Sequence, residues 1–174
     1  MAGAEWMTLP SLPTEAEALA EVQSRSFRSA YLTRRHSARN DKVIQESRDF
    51  MTYERVERRQ HLIAEANENP DEQFYYSALN GEDPVGLLYG TQEELVALYV
   101  DPAFKNRGVG RSLMQRYVEW VDPTKPIELG VVDFNRPAQR FYAKMGFQMI
   151  GPRENSFYTF LNELTMVRPP QEEI

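Results

Sequence analysis

The segment from Lys105 to Ser112 combines glycine with basic residues in a pattern that favours binding of a negatively charged group. It reads Lys-Asn-Arg-Gly-Val-Gly-Arg-Ser and stands between an apolar strand and an amphipathic helix. Glycine permits a tight turn and lets a ligand come close to the backbone. The amides of a helix's first turn have no intrahelical partners, and the helix dipole favours negative charge there. The segment therefore predicts a phosphate or pyrophosphate site.

The two commonest phosphate-binding loops do not fit this segment. A Walker loop needs Lys followed by Ser or Thr directly after its last glycine, whereas Arg111 follows Gly110 here. A dinucleotide fingerprint needs a third glycine three residues beyond Gly110, where Leu113 stands. The loop must therefore hold a phosphate in a third way.

A second motif lies downstream, also after an apolar strand. It reads Asn-x-x-Ala-x-x-Phe-Tyr-x-x-x-Gly-Phe and runs from Asn135 to Phe147. With both motifs in strand–helix context, the sequence resembles the GCN5-related N-acetyltransferase family from Phe74 to Val167. The loop of that family reads Gln/Arg-x-x-Gly-x-Gly/Ala. Lys105 departs from the first position of this pattern but keeps its positive charge.

The resemblance implies acetyl-CoA as co-substrate and no metal. It also implies that the end of the strand before the loop pairs with the pantetheine arm and that a bulge there splays this strand from its neighbour. A backbone amide would then stabilise the oxyanion of the reacting thioester. The residues implied to bind acetyl-CoA are Leu98, Tyr99, Val100, Lys105, Asn106, Arg107, Gly108, Val109, Gly110, Arg111, Ser112, Asn135 and Tyr142.

An acid and a base are the further requirements of acetyl transfer to an amine. An amine like that of lysine is almost fully protonated at pH 7, so a base must take its proton. Glu94 stands where histone-acetylating members of the family carry their catalytic glutamate, and Glu128 and Asp133 are reserves. Tyr142 matches the family's general acid. The competing interpretations are an exposed glutamate at a strand start and an aromatic residue that only packs. Because the chain contains no cysteine, we expect direct attack in a ternary complex.

The acceptor is the least defined part of the prediction. The resemblance favours a primary amine, either a small molecule or a polyamine. A protein N-terminus or lysine, and a non-catalytic acyl-CoA-binding module, are the alternatives. Residues 22–40 hold no acidic residue but several basic ones, which either attract an acidic acceptor or form a solvated surface. A polyamine would instead suit the net charge of −6. The basic residues are Arg25, Arg28, Arg34, Arg35, His36 and Arg39.

Strands and helices that could position these motifs alternate along the chain. A short strand over 5–9 precedes a helix that Thr14 opens, and a second helix is predicted from Asp41 to about Asn67. Strands are predicted over 73–79, 84–90, 94–100 and 127–132, with three more over 147–150, 157–161 and 164–167. Helices follow the glycine turn and Asn135. The pattern predicts a mixed α+β fold, with a mostly antiparallel sheet of about seven strands flanked by helices.

Length and composition limit the remaining possibilities. The chain has 174 residues, of which 41% are hydrophobic and 26% charged, typical of a globular protein. We expect one domain over 1–168 and a frayed tail over 169–174. The acidic balance argues against nucleic-acid binding, and no apolar run is long enough to span a membrane. No signal-peptide pattern is present, so we expect a cytoplasmic protein, and the sequence leaves a homodimer open.

Overall fold

The computed structural model describes residues 6–35 and 37–172, which form seven strands and five α-helices. In chain order they are β1 (Met7–Pro10), α1 (Ala16–Tyr31), α2 (Ala38–Asp49), α3 (Tyr53–Glu68), β2 (Gln73–Asn80), β3 (Asp83–Thr91), β4 (Leu95–Val100), α4 (Val109–Trp120), β5 (Ile127–Val132), α5 (Arg136–Lys144), β6 (Gln148–Pro152) and β7 (Glu163–Arg168). Short 3₁₀ turns cover Pro13–Glu15 and Pro102–Phe104. Among the described residues, no helix has both the length and the apolar character needed to cross a bilayer.

The strands form two sheets rather than one continuous sheet. The first has the order β1-β2-β3-β4 and the second the order β5-β7-β6, and every pair within them is antiparallel. Within the described part of the chain, one isolated parallel bridge, between Glu94 and Glu128, joins the two sheets. The predicted mixed α+β fold, with seven mostly antiparallel strands flanked by helices, is confirmed, and the structure divides these strands between two sheets.

Helices cover both faces of the first sheet, which explains why the middle of β3, over 85–89, is continuously apolar. Successive side chains of a strand point to opposite faces. Leu87 accordingly packs with Leu19 of α1 and Ile63 of α3, whereas the next residue, Leu88, packs with Leu113 of α4. The first sheet therefore lies between two layers of helices, with α1 and α3 on one face and α4 on the other.

The predicted long helix from Asp41 to Asn67 is wrong, because it is two helices with a break at 50–52. Thr52 is extended, with φ −65° and ψ 150°, and its hydroxyl accepts a hydrogen bond from the amide of Arg55. Thr52 is thus the N-cap of a separate helix, α3. The break lets the ring of Phe50 pack edge-on against Phe27 of α1, with 5.2 Å between centroids.

The predicted strand over 157–161 is also wrong, because β6 pairs directly with β7. The apolar residues of this segment pack without pairing: the Tyr158 ring lies 5.1 Å from that of Phe27, and Leu161 is buried. The segment 169–174 was predicted to be frayed. Within it, the backbone N–H of Gln171 donates to the carbonyl of Pro123 at 2.8 Å. Residues 173–174 lie outside the described part of the chain.

Candidate functional site

β4 and β5 lie side by side at their first residues and then separate. The Glu128 amide donates to the Glu93 carbonyl at 2.9 Å, next to the one bridge between the two sheets. No further strand pairing joins β4 to β5 in the described part of the chain. From Leu95 onward, β4 therefore pairs with β3 at one edge and leaves its other edge open to a ligand.

A bulge does occur in β4, but it lies earlier than expected. Gly90 pairs with Leu95 and Tyr89 pairs with Ala97, so Val96 is the extra residue. The bulge was expected at Leu98–Val100, where the structure shows regular pairing with β3. A bulge increases local twist, so its position at Val96 is suited to turning β4 away from β5 immediately after their bridge.

A cavity of about 490 Å³ occupies the gap between the two strands and extends to both sides of the sheet. Leu98, Asn135, Ala138 and Tyr142 line it on the side of α4 and α5, and residues of α1 and α3 line the opposite side. The cavity therefore brings groups from both layers of helices together beside β4. A cavity of this size is within the range of small-molecule sites.

The glycine turn leads from the end of β4 into α4. Asn106 and Gly108 have positive φ angles of 59° and 86°, a conformation that glycine adopts without steric cost. Gly108 is the N-cap of α4, and the Ser112 amide already donates to its carbonyl at 3.0 Å. The Ser112 amide is therefore already used by a hydrogen bond within the protein. The amides of Val109, Gly110 and Arg111 donate to no described residue, as expected of a helix's first turn.

Gly110 leaves an open surface beside these amides. A Cβ added there would lie 3.6 Å from Phe141 Cζ and 3.7 Å from Val100 Cγ2, which are ordinary contacts. Neither the backbone conformation nor the packing therefore requires glycine at this position. A ligand that approaches the first turn of α4 closely would require it.

Trp6 contacts both ends of the turn. The indole Nε1–H of Trp6 donates to the carbonyl of Arg107 at 2.8 Å, and the Trp6 amide donates to the Ser112 hydroxyl at 3.3 Å. The Arg107 guanidinium lies over the rings of Trp6 and Phe104, at 5.5 and 5.1 Å. Lys105 donates to the Ser29 hydroxyl of α1 at 2.9 Å. Both basic side chains are thus anchored beside the turn.

Asn135 and Tyr142 both line the cavity, as the second motif predicts. Asn135 caps α5, because its Oδ1 accepts from the amide of Ala138 at 3.3 Å, and the phenol of Tyr31 lies within its reach. Tyr142 is only 8% exposed. Burial, with the Tyr99 phenol nearby, raises the pKa of Tyr142 well above its usual value, so its hydroxyl keeps a proton to donate at neutral pH.

Glu94 lines the cavity where β4 and β5 separate. The Arg153 guanidinium donates to Glu94 Oε1 at 2.9 Å and to Glu128 Oε1 at 3.2 Å, so it holds both glutamates. The reserve candidates Glu128 and Asp133 do not line the cavity. Glu163 does line the cavity. The sequence did not predict this residue, because β7 contains no motif. Glu163 Oε2 accepts from the Phe157 amide at 2.8 Å.

The basic residues of 22–40 do not line the cavity. Arg25 pairs with Asp101 at 2.6 Å, and the Arg39 guanidinium lies 5.0 Å from the Phe134 ring centroid. Arg28, Arg34 and Arg35 lie outside it, and His36 falls outside the described residues. The arginines that do line it are Arg55, Arg58 and Arg59 of α3, together with Arg153.

Six tyrosines make up much of the remaining wall. Burial raises the pKa of each, so all carry protons at neutral pH and contribute hydroxyl groups rather than charge. They are Tyr31, Tyr75, Tyr89, Tyr99, Tyr142 and Tyr158. No cluster of metal-ligating side chains occurs within residues 6–35 and 37–172.

Comparison with known proteins identifies the family. The profile of the Acetyltransferase (GNAT) family matches residues 21–147, and the chain belongs to this family. The chain is similar to the peptidyl-lysine N-acetyltransferase YjaB of Salmonella typhimurium, with 28% identity over 85 residues, 49% of this chain and 57% of that protein. YjaB of Escherichia coli K12 is 27% identical over 85 residues, 49% and 56% of the two chains. The match thus spans just over half the length of these relatives.

Solved structures share the fold at low sequence identity. PaiA N-acetyltransferase of Thermoplasma acidophilum, in complex with coenzyme A, has a TM-score of 0.72 and 17% identity, covering 94% of this chain and 98% of that one. A GCN5-related N-acetyltransferase of Rhodopseudomonas palustris has a TM-score of 0.73 and 18% identity, covering 97% and 98%. These similarities confirm the predicted fold.

Proposed function

We propose that the chain is an N-acetyltransferase that moves the acetyl group of acetyl-CoA to a primary amine. The observation that carries this proposal is the open edge of β4, which lies beside the cavity and leads directly into the glycine turn. An extended ligand arm can pair with a free strand edge. A pyrophosphate can bind to unpartnered amides at a helix start. Acetyl-CoA has both parts in this order.

The residues present fit that co-substrate. The amides of Val109, Gly110 and Arg111 would hold the pyrophosphate, and the missing side chain at Gly110 gives it access. The backbone of Leu98–Val100 would pair with the pantetheine arm. Asn135 can contact a ligand while it caps α5, because its amide nitrogen is not used by the cap.

The chemistry follows from the groups that surround the open edge of β4. The amine nitrogen attacks the thioester carbonyl carbon, so that an N–C bond forms and the C–S bond breaks. Glu94 takes a proton from the amine, and a β4 amide stabilises the oxyanion. Tyr142 gives its proton to the departing sulfur, because burial keeps its phenol protonated.

Direct attack requires both substrates to be bound together. The sequence has no cysteine, so no acyl-cysteine can form. Residues of α1 and α3 and residues of α5 line the same cavity beside β4, which gives both substrates room to bind together. We therefore expect intersecting rather than parallel lines in double-reciprocal plots of two-substrate kinetics.

The size of the cavity supports a small primary amine as acceptor. A polyamine finds little support, because four arginines and only two glutamates line the cavity. The names of the YjaB relatives favour a second candidate, lysine side chains of proteins. Lysine-containing peptides therefore belong in the same test as the small amines.

Thiol release from acetyl-CoA tests the proposal across polyamines, amino acids, aminoglycosides and peptides. A rate that depends on the amine supports it. If acetyl-CoA raises the melting temperature but no amine releases thiol, the chain is a non-catalytic acyl-CoA-binding module instead.

A further inference from the structure

The charges that line the cavity are not balanced. Four arginines and two glutamates face it, in a chain whose net charge is −6. Lysine and aspartate are absent from the described lining. A positive cavity in an acidic protein is therefore a local feature and does not follow from overall composition. Such a cavity concentrates anions.

Two of these arginines already have carboxylate partners. Arg153 holds Glu94 and Glu128, and Arg55 lies 3.4 Å from Glu46. Their charges are thus largely compensated within the protein, and neither is the source of the surplus.

The surplus comes from Arg58 and Arg59. Arg58 is exposed at the cavity and makes no hydrogen bond or ion pair with a described residue. Arg59 donates only to neutral groups, the phenol of Tyr75 at 2.5 Å and the side chain of Gln23. Its Nε is buried and has no hydrogen-bond partner among the residues that the structure describes. Unpaired buried donors are costly, and an oxyanion is the acceptor that guanidinium groups bind most strongly.

These arginines lie on the acceptor side of the sheet. They belong to α3, on the face opposite α4 and its glycine turn. Between them and the open edge of β4, the wall is formed by Tyr75, Tyr89 and Ala97, none of which carries a charge. An acceptor that reaches the thioester with its amine would place its distal end near α3.

We propose that Arg58 and Arg59 bind an oxyanion on the acceptor, so that the preferred substrate is a small primary amine that also carries a carboxylate or a phosphate. This inference rests on the proposed acetyl transfer and goes further by naming the chemical class of the acceptor. The bidentate geometry of a guanidinium fits either group. A cationic polyamine would be repelled at the same place.

The test compares amines that differ only in charge. The probes are ω-amino acids from glycine to 6-aminohexanoate, each with its methyl ester, and O-phosphoethanolamine with ethanolamine. In the wild-type protein we expect kcat/KM to be about 10- to 100-fold higher for at least one anionic member than for its uncharged counterpart. The pair in which this occurs distinguishes a carboxylate from a phosphate.

Substitutions in α3 test whether Arg58 and Arg59 cause the preference for anionic acceptors. Arg58→Gln, which removes a charge, should lower the ratio of kcat/KM for the acid over that for its ester most strongly. Arg59→Lys keeps the charge at the more buried site and loses only the bidentate geometry, so it should lower this ratio less. Arg48→Gln, on the exposed surface of α2 and outside the cavity, is the matched control and should keep the preference.

Two results would overturn the inference: esters that react as well as the acids, or a preference that survives in both α3 variants. Calorimetry of the same acids and esters with CoA-saturated protein makes the comparison without turnover. A chain that releases no thiol from any amine thus contradicts the proposed function, while calorimetry still decides the inference about the acceptor.

Discussion

Arg153, the residue directly after β6, donates a hydrogen bond to Glu94 Oε1 at 2.9 Å. This contact lies where β4 and β5 separate. The same guanidinium donates to Glu128 at 3.2 Å, so it ties the two sheets together beside the cavity. Only Glu94 of this pair lines the cavity. Its other oxygen, Oε2, makes no hydrogen bond with a described residue, and it is therefore available to an incoming amine.

Glu94→Gln is expected to lower kcat by about 10²- to 10⁴-fold, the usual contribution of general acid–base catalysis. The change removes the proton acceptor but keeps the size of the side chain. Steady-state thiol release with saturating acetyl-CoA measures the effect. Glu128→Gln is the matched control, because Glu128 shares Arg153 but lies outside the cavity. Equal losses in both variants would assign the effect to the ion pair and not to proton transfer.

Tyr142→Phe is expected to lower kcat by about 10- to 100-fold, with little change in the KM for the amine. Thiolate is a fair leaving group, so the loss should stay at or below the usual range of acid catalysis. Tyr117→Phe provides a control for burial, because the Tyr117 hydroxyl donates to the Thr91 carbonyl at 2.7 Å in the core and does not line the cavity. It should lower stability and leave kcat unchanged.

The pH dependence of the wild-type protein gives a second readout for Tyr142. Its pKa is raised, so the phenol keeps its proton above the ordinary tyrosine value near 10. Loss of the Tyr142 proton should therefore not lower kcat at any pH below the ordinary tyrosine value. A fall between pH 8 and 9 that disappears in Tyr142→Phe would contradict the assignment.

The two glycines of the turn are expected to respond differently to alanine. Gly108→Ala forces a side chain into the left-handed region and should cost about 1 kcal/mol of unfolding free energy. Gly110→Ala meets only ordinary contacts, so stability should be unchanged or slightly higher. It should nevertheless weaken acetyl-CoA binding at least tenfold, as measured by calorimetry. An unchanged affinity of Gly110→Ala for acetyl-CoA would contradict the expectation that the ligand approaches the backbone closely at this position.

Trp6 is expected to support co-substrate binding through the turn. Trp6→Phe keeps an aromatic ring beside Arg107 but removes the N–H that donates to the Arg107 carbonyl. We expect the Kd for acetyl-CoA to rise about 2- to 10-fold, the equivalent of one lost neutral hydrogen bond. Trp120→Phe is a close control, because its indole also donates to a carbonyl, that of Pro70, at 2.8 Å but far from the turn. If both variants bind acetyl-CoA equally, Trp6 does not position the turn.

Much of the fold could be predicted because local signals agreed with it. The strands β2 to β5 alternate or are continuously apolar, and Gly81, with φ 64°, forms the predicted hairpin turn. The break between α2 and α3 escaped prediction because apolar residues continue at helical spacing on both sides of it. Thr52 followed by Glu54 was the available signal of a new helix start.

The site could be predicted where a motif defines it and not where packing defines it. Gly108, Asn135 and Tyr142 lie in motifs, and the structure brings Asn135 and Tyr142 to the cavity. Arg58 and Arg59 lie in a run of charged residues that contains no motif. Only the packing of α3 against β2 decides which of its arginines turn toward the cavity, and sequence spacing does not contain that information.

The most direct test of the central claim is calorimetric titration of the protein with acetyl-CoA, followed by two-substrate kinetics with the best amine from the screen. We expect one acetyl-CoA site per chain and intersecting double-reciprocal plots. No heat of binding at millimolar acetyl-CoA, or parallel plots that indicate an acetylated enzyme, would contradict it.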